Sequence, residues 1–236
     1  GGGKRRRVKE KERPVFYWLA RALVRLLLLP FCALQVEGAE RLPSTGPLIL
    51  AANHASILDP LLLGVAVRRR ITFLGAAYLF SYPGLSLLLR ALGVLPVRPS
   101  SGRAQWLKES RRLLERGEVL GVFPSGGIAP ARAEVALPGA AHLALCTGSP
   151  LLPVAIAGSA QVWPLGRWWP RRGKVRVAFG LPIEKGVLSP SNPGFRAERA
   201  ALIAQVKEEI KALLLARPGP AGESYSRRRK GGKAAF

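Results

Sequence analysis

Six short apolar runs, separated by stretches of helical periodicity or loop, limit what this chain can become. The runs are GPLILAAN (46–53), ITFLG (71–75), GVLPV (93–97), EVLGVFP (118–124), LLPVAIAG (151–158) and KVRVAFG (174–180). Between and after them, residues 57–68, 78–92, 103–116, 139–147 and 195–215 read as helices; Pro83-Gly84 breaks the second near its start and Gly117 closes the third. Strands that are apolar throughout must be covered on both faces, and helices between strands supply the cover. The predicted class is therefore α/β, with a largely parallel, helix-covered sheet. At 236 residues and 48% apolar content the chain suits one domain with one real core rather than two.

The ends break the pattern. Residues 1–13 carry seven basic and two acidic side chains; residues 217–236 carry six and one, with the run Arg227-Arg228-Arg229-Lys230. Neither end shows apolar periodicity, so both read as disordered basic arms. The whole chain holds 37 Lys and Arg against 14 Asp and Glu, a net charge of +23. Without the arms, 24 basic and 11 acidic residues remain. That excess points to an anionic partner: a lipid surface, a phosphorylated substrate or nucleic acid. Methionine is absent even at position 1, so Gly1-Gly2-Gly3 reads as a processed, replaced or incomplete start.

Residues 14–36 (PVFYWLARALVRLLLLPFCALQV) are the most apolar stretch. Arg21 and Arg25 lie one helical turn apart on one face, and Pro30 interrupts the run. A membrane span needs about 20 apolar residues with few charges, and this segment is marginal for that. A helix lying in the membrane interface fits better, with Phe16, Tyr17, Trp18 and the leucines in lipid and the arginines among headgroups. The alternative is a helix packed on the protein's own core. The expected division is a basic arm (1–13), a membrane-associated helical segment (14–36), the folded domain (37–216) and a basic tail (217–236).

The chemistry-bearing residues are few. Two cysteines, Cys32 and Cys146, give no disulfide framework, and two histidines, His54 and His142, leave no metal site to expect. Thirteen of the acidic residues are Glu; the single Asp is Asp59, five residues after His54. The segment NHASILDP (53–60) leaves a buried strand for a helix, where α/β sheets place their sites. Ser56 and Asp59 have capping-box spacing, with Ser56 as N-cap. That geometry lets Asp59 reach back to His54 and set its tautomer, freeing the other nitrogen to take a proton from a hydroxyl or thiol. The competing reading is that Ser56 and Asp59 only cap a helix.

NHASILD resembles the NHxSxxD block of the glycerolipid acyltransferases. GVLPVRP (93–99), VFPSGG (122–127) and LLPVAIAG (151–158) resemble the family's second, third and fourth blocks, in order, and VAFGLPIE (177–184) is similar to its late strand and turn. The likeness covers about residues 35–190. It implies an acyltransferase domain that moves a fatty acyl group from acyl-CoA or acyl carrier protein to a hydroxyl of a lysophospholipid. Lysophosphatidic acid is the first expectation. His54 would be the base and Asp59 its orienting partner, supported by Asn53 and Ser56. Substrate would be bound by Arg98, Ser125, Gly126 and Gly127, the glycines letting backbone N–H groups approach the oxyanion. No cofactor or metal is implied. The expected location is a membrane, at the cytoplasmic face of the inner or plasma membrane. Three departures bear on the acceptor. Ser125 replaces the third block's usual glutamate, Gly127 its threonine and Ile128 its arginine. In the second block the final arginine falls on Pro99, with Arg98 one place earlier and Arg103 and Arg132 as substitutes.

Other features have plainer readings. His142 reads as a packed histidine, and both cysteines as small hydrophobes. Arg68-Arg69-Arg70 reads as a helix C-terminal cap. WPLGRWWPRRGK (163–174) sets three tryptophans among cations, which suits a membrane interface, a cover over the core or, least, single-stranded nucleic acid. A nucleic-acid module would explain the charge but not the His-Asp pair, and no RRM, KH or zinc-finger signature occurs. A lipid-binding member with impaired catalysis is the remaining alternative.

Overall fold

The apolar run after Pro47 folds as a strand buried on both faces, at the centre of a seven-stranded sheet. The computed structural model describes residues 16–28, 30–97, 102–123, 138–164 and 166–216. In chain order the elements are α1 (16–28), β1 (Cys32–Glu37), β2 (Leu48–Ala52), α2 (Asp59–Ala66), β3 (Ile71–Ala76), α3 (Pro83–Ala91), β4 (Leu95–Val97), α4 (Gly102–Glu115), β5 (Val119–Val122), α5 (Pro138–Thr147), β6 (Leu151–Ala157), α6 (Ser159–Val162), β7 (Gly173–Phe179) and α7 (Phe195–Leu215). Short 3-10 turns follow β1 and β3. The sheet order is β1-β7-β6-β2-β5-β3-β4. Every pairing is parallel except β6 with β7.

Strand alternation divides the core into two layers. Leu48, Leu50 and Ala52 of β2 face one side, with Leu58, Leu62 and Leu63 around α2 and Val24 of α1. Ile49 and Ala51 face the other, with side chains of α4, α5 and α7. The α/β domain with a mostly parallel, helix-covered sheet is therefore as expected.

The segment 14–36 is corrected in part. Among the described residues of this segment helix spans 16–28, and Cys32–Glu37 is an edge strand paired in parallel with β7 from Cys32↔Gly173 to Glu37↔Ala178. Proline at position 30 ends the helical run, and the unbroken leucines before it conceal the change of period. Helix α1 packs on the protein's own core through one face and leaves the other exposed. Tyr17 and Val24 are buried in the core, while Phe16, Leu19, Leu23, Leu26 and Leu27 are exposed. Two polar contacts hold α1 in place. The Tyr17 hydroxyl accepts from Ile71 N at 3.3 Å, and Arg21 Nη2 donates to Val65 O at 2.9 Å. Burial pushes the Tyr17 phenol above its usual pKa.

The arginine triplet is not a helix cap. Arg69 instead ties two loops together: its guanidinium donates to Pro43 O (3.0 Å), Thr45 O (3.3 Å), Gly46 O and Gly117 O (2.9 Å). No helix among the described residues is long and apolar enough to cross a membrane.

Tyr17→Phe keeps the buried ring and deletes the hydroxyl that Ile71 N donates to. The variant is expected to lose about 1 kcal/mol of stability, the usual size for one buried hydrogen bond, read as a lower midpoint in denaturant at unchanged slope.

Candidate active site

His54 lies two residues beyond the end of β2. Asn53, between them, prolongs the sheet with its side chain. Its Nδ2 donates to Ile156 O at 2.8 Å and its Oδ1 accepts from Ile156 N at 2.7 Å, so an amide completes the ladder to β6 where β2 stops. The chain after His54 then turns sharply, with Asp59 N bonded to Ser56 O at 3.1 Å.

Asp59 is fully buried. Its Oδ2 accepts three hydrogen bonds: from His54 Nδ1 at 2.9 Å, Ala55 N at 2.6 Å and Ser56 N at 2.8 Å. Three donors at Oδ2 offset part of the hydration that the group loses on burial, while Oδ1 has no hydrogen-bond partner among the described residues. A carboxylate only accepts, so Nδ1 carries the imidazole proton and Nε2 is the basic nitrogen. One face of the His54 ring stacks on Phe123, with centroids 4.3 Å apart and planes inclined by 27°. Phe123 stacks in turn on Phe73 at 5.6 Å. Phe73 can lie there because its β5 neighbour in register is Gly121; a Cβ at that position would overlap the Phe73 ring.

The expected capping box is half present. Ser56 N donates to the Asp59 carboxylate, but α2 begins at Asp59 with Leu58 as N-cap. Ser56 Oγ donates to Trp163 O at 2.8 Å and accepts from Leu58 N at 3.2 Å. The serine thus ties the site's turn to the tryptophan loop. A proline in the first turn, Pro60, delays the helix start relative to the sequence reading.

An apolar groove of about 510 Å³ opens beside this turn, within the ~300–1,000 Å³ of ordinary ligand sites. Its walls include Leu23 and Leu27 of α1, Ile57 and Leu61 before and in α2, Phe73, and Trp168. Phe73 belongs to both the groove and the ring stack on His54.

A family model described as Acyltransferase matches residues 33–157, from β1 to the last residue of β6. The chain belongs to this acyltransferase family. It is 28% identical over 176 residues to the chloroplastic 1-acyl-sn-glycerol-3-phosphate acyltransferase LPAT1 of Arabidopsis thaliana, covering 72% of this chain and 49% of the relative. It thus spans about half the length of that plant protein. Against the 1-acyl-sn-glycerol-3-phosphate acyltransferase of Bacillus subtilis it is 27% identical over 180 residues, covering 74% and 86%. The crystal structure of the 1-acyl-sn-glycerophosphate (LPA) acyltransferase PlsC from Thermotoga maritima superposes with a TM-score of 0.71 at 26% identity, covering 90% of this chain and 85% of that one.

Within this acyltransferase fold, His54, Asp59, Asn53 and Ser56 converge on one turn. Arg98, Ser125, Gly126 and Gly127 lie outside the described residues, as do Ile128 and Arg132. His142 is on α5 and meets Phe195 of α7, edge to face at 5.3 Å, in the opposite core layer. Cys146 Sγ is 3.6 Å from His142 Nε2. Cys32 is buried in β1, where burial pushes its thiol above the usual pKa. Sequence reasoning missed the role of Phe123, although it quoted VFPSGG; contact between two aromatic rings and a histidine 69 or fewer residues away has no local signature.

Asn53→Ala leaves Ile156 N and O without their partners in a dry place. The expected cost is about 2–4 kcal/mol, or roughly 5–15 °C in thermal midpoint, which differential scanning fluorimetry would read.

Proposed function

We propose that the protein transfers a fatty acyl group from acyl-CoA or acyl carrier protein to the hydroxyl of a lysophospholipid, lysophosphatidic acid first among them. The observation that carries the reading is the hydrogen bond from His54 Nδ1 to a carboxylate wholly buried and held by two backbone N–H groups. Such a pair presents Nε2 as a general base. Nε2 takes the proton of the acceptor hydroxyl while its oxygen attacks the thioester carbonyl. The tetrahedral oxyanion then collapses, the C–S bond breaks, and the imidazolium returns its proton to the departing thiolate. No acyl-enzyme is needed. Cys32 is buried in an edge strand and Cys146 lies across the sheet, so neither thiol is placed to accept the acyl group.

The apolar groove beside the turn suits the acyl chain. Gly126 and Gly127 are the proposed source of N–H groups for the oxyanion, with Ser125 beside them, and Arg98 is the proposed guanidinium for the acceptor's phosphate. The protein works at a membrane in this reading. Support comes from the apolar outer face of α1 and from Trp168 and Trp169, which are 86% and 70% exposed at the groove's edge.

With labelled acyl-CoA or acyl carrier protein and lysophosphatidic acid, His54→Ala is expected to lower kcat by about 10²–10⁴-fold at an unchanged melting temperature. Asp59→Asn should lose at least about 10²-fold through the wrong tautomer. Wild-type turnover in His54→Ala would overturn the base assignment and leave a lipid-binding protein.

Membrane attachment is best tested by substitution, because α1 and β1 contribute to the core and deletion of residues 1–36 would damage it. Leu19→Glu with Leu23→Glu should release the protein from sedimented vesicles, whereas a high-salt wash of the parent should release little, since apolar burial is not screened. Full release of the parent by salt would mean purely electrostatic attachment.

A further inference from the structure

Ser56 belongs to two arrangements at once. Its backbone N–H donates to Asp59 Oδ2 at 2.8 Å, and its hydroxyl donates to the carbonyl of Trp163 at 2.8 Å, 107 residues along the chain. The residue is buried, so water does not compete for either bond. The Asp59 carboxyl is held from one side only, because its buried Oδ1 has no hydrogen-bond partner among the described residues. Its orientation, and with it that of the His54 ring, depends on the three donors at Oδ2, of which Ser56 N is one.

Trp163 opens a closed bend. Its Nε1 donates to Arg167 O at 2.8 Å, Arg167 N donates to Pro164 O at 3.2 Å, and Arg171 N donates to Val162 O at 2.7 Å. These bonds make the bend move as a unit. Its base is fixed, Val162 being fully buried and Trp163 packed against the core. Its tip is not. Trp168 and Trp169 stand largely in solvent, with Arg167, Arg171 and Arg172 exposed beside them. Side chains so exposed add little packing, so cover over the core explains Trp163 and leaves the other two unexplained. Residues 135–183 hold no Asp or Glu, so the cations of the bend have no carboxylate near them in sequence. Indole rings among guanidinium groups suit the headgroup layer of an anionic bilayer.

We propose that Ser56 is a positioning residue that couples the tryptophan bend to the base. When Trp168 and Trp169 enter an anionic lipid surface, the bend carries the Trp163 carbonyl with it, Ser56 follows, and the Asp59–His54 pair is set for proton transfer. A bilayer favours that arrangement by the extra binding free energy the tip gains in it. The proposal rests on reading the protein as an acyltransferase at a membrane. Transfer is thereby faster at the surface that holds a lipid acceptor than in water.

The test uses hexanoyl-CoA and hexanoyl-lysophosphatidic acid, which are water-soluble, with and without vesicles of phosphatidylcholine and phosphatidylglycerol in equal parts. The kcat of the parent should rise at least about fivefold on vesicles, inside the ~10²-fold that a displacement of about 1 Å costs. Ser56→Ala should sediment with the vesicles as the parent does and keep less than half of that rise. Trp168→Ser with Trp169→Ser changes only exposed side chains and should melt like the parent. At lipid concentrations where α1 still brings it down, this variant should lose the rise as well, which decides the matter even if Ser56→Ala fails to fold. Hydrogen exchange over 53–60, which contains the two amides bonded to Asp59, reads the coupling without catalysis. It should slow at least about threefold when the parent binds vesicles and not in the tryptophan variant. Slowed exchange in a parent that transfers nothing supports the coupling, and only the catalytic reading falls. A parent that sediments with unchanged kcat and unchanged exchange overturns the proposal and leaves membrane attachment standing, as does a tryptophan variant stimulated like the parent. A parent that does not sediment overturns both.

Discussion

A strand with no face toward water needs cover on both sides and a paired neighbour at each edge, and β2 meets both conditions. Its five residues are buried, β5 and β6 flank it in parallel, and the two core layers are assigned by which of its side chains point where. The site is a consequence of where that strand stops. Asn53 carries the ladder one step further through its side chain, which fixes the strand's end against Ile156. The next residue is the histidine. Anchoring of that kind holds His54 against the end of the sheet.

Desolvation is the second constraint. Asp59 is removed from water entirely, and an unpaired buried carboxylate would sooner neutralise than remain charged. The turn from 54 to 59 resolves this by aiming two backbone N–H groups at Oδ2 along with the imidazole. The same turn therefore starts a helix, surrounds Oδ2 of a buried carboxyl with donors and orients the imidazole. The Asp59 carboxyl thus holds the backbone before α2 and the His54 imidazole in one arrangement.

The layer on the α1 side has a different character. Tyr17 and Val24 seal α1 onto the sheet, and the leucines on its outer face stand in solvent beside Trp168 and Trp169. Between α1 and α2 the packing is left open as a groove. A core evolved for stability alone would fill such a space, since a void forfeits dispersion contacts on its whole lining. The structure forgoes those contacts in a groove whose lining includes Phe73, and Phe73 stacks on Phe123, which stacks on His54.

Periodicity and residue type in the sequence determined six of the seven strands, most of the helices and the pairing of His54 with Asp59. Those are local properties: apolar runs, glycine breaks, and a five-residue offset that one turn can close. α7 was legible to the residue, because twenty-one helical positions carry enough repeats to define the period. β1 was not, because six residues after a leucine-rich helix are too few to show alternation, and the strand exists only by pairing with β7 more than a hundred residues later. The order of strands, the antiparallel β6–β7 pair, the stack of Phe73 and Phe123 on His54 and the loop clamp of Arg69 were likewise decided by tertiary structure. Each depends on groups far apart in the chain meeting in space.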